Sequence, residues 1–128
     1  MITLDEFFAD RDESRQLFDA MHEAIEDLGE VELRVTKSQV AFRTSQGKAF
    51  ARAWMPGQYL RGKTAPLVLT LSLRSRHPSP RWKEIVEPAP GRFTHHLELY
   101  AVDDIDQEVR GWLRDAWQAA GLERRRPP

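Results

Sequence analysis

The sequence predicts a two-layer α+β fold: an antiparallel sheet of about five strands, with N- and C-terminal helices packed on one of its faces. Three observations carry this. Apolar residues recur every 3–4 positions near both ends of the chain and every second position between them. The connections between the first strand-like runs are short, which favours antiparallel pairing over crossovers. The 128 residues include no cysteine, and 41% are hydrophobic, so a hydrophobic core rather than disulfides must hold a single domain, placed at 1–122.

Thr3 and Glu6 have the spacing of a capping box before a short helix through Leu4, Phe7 and Phe8. A second helix, over 12–28, lines up Leu17, Phe18, Met21, Ala24, Ile25 and Leu28 on one stripe, and Gly29 is its natural stop. Alternation predicts strands at 30–36 and 39–43 and, after the turn Ser45-Gln46-Gly47-Lys48, at 49–54. The third strand can be read two ways. Its alanines, Ala49, Ala51 and Ala53, suit close helix packing, which sends Phe50, Arg52 and Trp54 to the polar face. Alternatively Phe50 and Trp54 are core and the alanines lie outside.

Pro56-Gly57 opens a long loop through Tyr59 and Arg61, of a kind that is often functional. Residues 67–73 form the clearest strand, with four leucines facing one way and Val68, Thr70 and Ser72 the other. Ser79-Pro80 reads as the N-cap and first position of a short helix carrying Trp82, Ile85 and Val86, closed by Pro88, Pro90 and Gly91. A fifth strand, 92–100, puts Phe93, His95, Leu97 and Leu99 on one face and Thr94, His96, Glu98 and Tyr100 on the other. Asp103 is the expected N-cap of a last helix over 104–120, stopped by Gly121, and 123–128 reads as a flexible tail.

The net charge of −1 hides a strong asymmetry. Residues 34–96 hold twelve basic residues and two acids, a net of +10, whereas residues 1–33 carry −9 and residues 97–128 carry −2. A cationic centre points to an anionic partner: a nucleic acid, a nucleotide or a phosphorylated metabolite. The competing expectation is that the acidic first helices lie against the centre and neutralise it. The N-terminus has no basic start and no long apolar run, and no window approaches the roughly 20 apolar residues of a membrane span. A cytoplasmic location is expected, without membrane contact.

The candidate ligand-binding residues are Lys37, Arg43, Trp54, Tyr59, Arg61, Arg81, Trp82, Lys83 and His96. Lys37 sits at a strand end beside hydroxyl and amide groups and can hold an anion; Arg43, Trp54 and His96 belong to the polar sheet face. Arg61, Arg81 and Lys83 stand beside the aromatic rings of Tyr59 and Trp82, a mixture that suits phosphate or carboxylate recognition. The plain structural alternative makes Tyr59 and Trp82 loop anchors, Lys37 a turn residue and His96–Glu98 a structural pair. Adjacent strand residues point to opposite faces, so His95 and His96 cannot chelate a metal together, and His95 is the core histidine. Asp103, Asp104 and Asp106 are better explained as acids at a helix start than as a metal cluster. With no glycine-rich phosphate loop, nucleophile elbow or metal-binding helix motif, neither a metal nor a cofactor is expected.

A binding module for an anion is therefore the first functional reading. A small enzyme using Lys37, His96 and Glu98 for acid–base chemistry, with Arg61 or Arg81 holding substrate, is the second. An interaction or dimerisation domain built on the Trp and Phe residues is the third, with monomer or dimer left open.

Four runs carry a resemblance that spans nearly the whole chain: LFDAMHEAIEDLG at 17–29, VELRVTKSQVAFR at 31–43, PGQYLRG at 56–62 and HPSPRWKEIVEPAPGRFTHHLEL at 77–99. They resemble a family of small bacterial proteins described as a domain of unknown function, sometimes labelled a predicted transport protein. The resemblance implies a single-domain α+β fold and no particular activity. It draws attention to Lys37, Phe42, Tyr59, Arg61, Trp82, Lys83, His95 and His96.

Overall fold

Six strands form one antiparallel sheet: β1 (Val31–Val35), β2 (Val40–Thr44), β3 (Ala49–Trp54), β4 (Leu67–Leu73), β5 (Glu84–Ala89) and β6 (Arg92–Leu99), in the order β1-β2-β3-β4-β6-β5. The structure, a computed structural model, describes residues 2–45 and 48–124, and side chains as far as 121. The turn residues Gln46 and Gly47 and most of the expected tail lie outside the described residues. Three helices complete the chain: α1 (Leu4–Phe7), α2 (Asp12–Glu26) and α3 (Gln107–Arg124).

Residues directly opposite one another in antiparallel strands share a face. The register therefore defines two rows across the whole sheet. Leu33, Phe42, Ala51, Leu71, His95 and Ile85 form one; Arg34, Ala41, Arg52, Thr70, His96 and Glu84 form the other. The first row is apolar apart from His95 and faces α2 and α3. Phe18, Met21 and Ile25 of α2 and Val109 and Leu113 of α3 are fully buried against it. Ala51 and Ala53, at most 2% exposed, let α3 approach β3 closely. That resolves the third strand: the alanines face the helices, and Arg52 and Trp54 lie half-buried on the opposite face. Phe50 departs from the alternation. A register shift between Phe42 and Arg43 pairs Arg43 with Ala49, and Phe50 joins the core cluster, 1% exposed.

The helix expected after Ser79-Pro80 is instead strand β5. Ser79 does accept a backbone bond, from the Arg81 N–H at 3.2 Å, but this closes a local turn rather than starting a helix. The capping box at Thr3 and Glu6 is present, with both reciprocal bonds formed at 3.1 and 3.0 Å. α3 starts later than expected. Asp103 lies in a 3-10 turn over Val102–Asp104, and Asp106 caps α3 by accepting the Val109 N–H at 3.0 Å. The helix then runs through Gly121 to Arg124. α2 ends at Glu26, and Gly29 follows with φ +147°.

Candidate functional site

Two hollows share lining residues: one on the helix-free face of the sheet, the other at the end of the sheet, reaching across to α3. The first, about 310 Å³, lies over the middle of β3, β4 and β6. Trp54, Tyr59 and His96 provide its rings; Arg52, Thr70 and Gln39 are among its polar groups. Each side chain arrives by strand alternation, except Gln39, from the β1–β2 turn, and Tyr59, which follows the 3-10 turn at Pro56–Gln58. The Tyr59 hydroxyl reaches the carbonyl of Ser38 at 3.4 Å, so the loop leans over the β1–β2 turn.

One hydroxyl organises the ring cluster. Trp54 Nε1–H can only donate, and it donates to Thr70 Oγ1 at 2.9 Å. The Thr70 hydroxyl then gives its own hydrogen to His96 Nδ1, 2.8 Å away. Assigned this way, Nδ1 accepts and the neutral ring carries its proton on Nε2. Burial holds the His96 pKa below the usual imidazole value, with the Glu84 carboxylate across the strand pair pulling the other way. The Trp54 and His96 rings meet edge to face at 6.2 Å.

The second hollow, about 330 Å³, lies where β3 and β6 begin and β4 ends. Lys48, Arg52, Arg74 and Arg92 line it, and no carboxylate does so among the described residues. Ala116, Ala119 and Ala120 of α3 form its apolar wall. Arg52 and Thr94 belong to both hollows and join them.

Of the residues singled out from sequence, Trp54, Tyr59 and His96 come together. Lys37 is an exposed turn residue beside Ser38 and Gln39 but does not line the hollow with them. Arg43 is half-buried in β2 at the register shift, and Arg61 and Lys83 are exposed outside both hollows. Arg81 is committed elsewhere. It donates to Asp106 at 3.0 and 3.1 Å, to Glu108 at 2.8 Å and to the Asp104 carbonyl at 2.9 Å. Trp82 is a core residue, 8% exposed, packed on Trp112 with ring centres 4.2 Å apart and on His95 at 4.8 Å. Glu98 shares the face of His96, but it stands opposite Val68, while the His96 ring bonds Thr70. Lys37 thus lies apart from the hollow that His96 lines, and the described bond of the His96 ring is to Thr70 rather than to Glu98.

Lys48, Arg52, Thr70, Arg74, Arg92 and Thr94 were not singled out as site residues. The alternation of β4 and β6 puts Thr70 and Thr94 on the polar face, but only the register reveals what stands beside them. Three acids of the N-terminal region have described partners outside the basic centre. Arg15 holds Asp5 and Asp19 at 3.0 and 2.9 Å, and Arg110 lies 3.7 Å from Asp27.

Fold and site together define a small α+β protein with one sheet face covered by helices, an aromatic hollow on the other and a cationic hollow at the end of the sheet. The chain belongs to the family described as Domain of unknown function (DUF5655), whose model matches residues 4–120. No curated protein and no solved structure matches the chain. Among the described residues no helix is long and apolar enough to cross a membrane.

Proposed function

We propose that this protein binds an anionic small molecule at the hollow lined by Lys48, Arg52, Arg74 and Arg92. The observation that carries this is the convergence of four cationic side chains from three strands and their flanking turns on one concavity. Arg74 and Arg92 follow and open β4 and β6 at the same end of the sheet, one step beyond the pair Leu73 and Phe93. Two arginines at neighbouring register positions on one hollow suit the bidentate recognition of phosphate or carboxylate oxygens. A rim of this kind attracts anions over a distance set by ionic strength.

Titration calorimetry with inorganic pyrophosphate tests the reading. Binding is expected at low salt and should weaken as salt is raised. Replacing Arg74 and Arg92 together by Gln should weaken it at least about tenfold, the loss expected for charge-assisted hydrogen bonds. Absence of binding at low salt, or unchanged affinity in the double variant, overturns the proposal.

A further inference from the structure

We infer that the anion is carried on a planar heterocycle, so that the ligand is a mononucleotide: phosphates among Lys48, Arg52, Arg74 and Arg92, base among Trp54, Tyr59 and His96. This rests on the anion-binding reading above and names the chemistry of its ligand. The cationic hollow alone would take any small anion. It shares Arg52 and Thr94, however, with a second hollow of different character.

The geometry suits one ligand with two unlike ends. Along β6, His96 and Arg92 are four residues apart, about 13 Å at the strand rise. A bare phosphate cannot reach across that interval; a nucleoside with a short phosphate chain can. Arg52 stands in the His96 row, directly opposite Thr70, and lines both hollows, so it can meet the first phosphate close to the sugar.

The aromatic end presents what a base requires. Tyr59 is 59% exposed, an aromatic face not spent on the core. Trp54 and His96 form the floor, held upright by the shared Thr70 hydroxyl. With its proton on Nε2, the His96 ring offers a donor, and the Gln39 amide offers both a donor and an acceptor. Rings supply stacking and these groups supply edge recognition, the combination by which proteins hold single bases.

A longer strand of nucleic acid fits less well. Glu84 stands directly opposite His96, and Glu98 occupies the same face two residues along β6. Any further phosphate brought near the base end would meet these carboxylates. A mononucleotide ends before them.

The test compares binding of inorganic pyrophosphate, ribose 5-phosphate, the four common nucleoside diphosphates and a short oligothymidylate. At least one nucleoside diphosphate should bind about tenfold or more tightly than pyrophosphate. The advantage should vanish in Trp54→Leu while pyrophosphate affinity is kept. Tyr59→Ala, at an exposed loop position, should reduce the same advantage and guards against a folding defect in the first variant. If pyrophosphate and every nucleotide bind alike, the base subsite is overturned and the anion site stands. If no probe binds, both fall. If the oligothymidylate binds more tightly than any nucleoside diphosphate, the mononucleotide assignment is overturned in favour of a strand.

Discussion

His95 and His96 are neighbours in sequence with separate environments, and their split was legible from alternation alone. His95 is fully buried among Trp82, Trp112 and the β4 leucines, and both its nitrogens are used by a neutral ring. Nδ1–H donates to the Phe93 carbonyl at 3.1 Å, and Nε2 accepts the His77 backbone N–H at 3.1 Å. Burial is the main cause of its lowered pKa; the Phe93 bond opposes it, and His77, Arg76 and His96 add to the lowering. His96 is shifted the same way. In the unfolded chain both rings return to the ordinary value of about 6.5 and take up protons there, while the native rings remain neutral. Stability from these groups is therefore complete above that value and is lost as pH falls through it towards the lowered native values. Urea midpoints should drop between about pH 7.5 and about pH 5, and His95→Gln should flatten that slope. An unchanged slope in the variant would show that His95 is not the source. The hydroxyl of Thr70 was beyond reach of the sequence, because its two partners come from strands 16 and 26 residues away.

Elements were readable where residue types alternate. β4 was placed at its observed limits because its leucines alternate with Val68, Thr70 and Ser72, and the limits of β3 followed from its alternating alanines, although its facing did not. β5 was misread for a physical reason. It is an edge strand whose six residues are exposed except Ile85 and Ala89, so it shows no alternation, and the Ser-Pro pair before it imitates a helix start. The late start of α3 has a related cause. Four acids within six residues offer several possible caps, and only the Val109 N–H distinguishes Asp106, whose pKa it lowers with help from Arg81. At the other end of α2, Gly29 turns the chain into β1 with a φ of +147° and lies against α3: a Cβ there would come within 3.0 Å of Trp117 Cζ2. Gly29→Ala should cost about 1–3 kcal/mol, measured by chemical denaturation. A neutral result would mean that the α2–β1 connection relaxes without strain.

At the scale of the molecule, all six strands share one sheet and one core cluster takes residues from all three helices. Heat or urea should unfold the protein in a single transition, with near-ultraviolet and far-ultraviolet signals coincident; separated transitions would divide the domain. The α+β architecture and the cationic character of the centre were both present in the amino-acid order. The grouping of that charge was not, since Lys48, Arg74 and Arg92 lie on different strands and turns and meet only once β4 pairs with both β3 and β6. The order of the sheet has one more effect. Its two outer strands are poor templates for a neighbouring chain: β1 is five residues long and shows Glu32 and Arg34 to solvent, and β5 carries exposed Glu84 and Glu87, a proline and an irregular register. An open sheet would otherwise risk growing by edge-to-edge addition into fibrils, and these blunted margins guard against it.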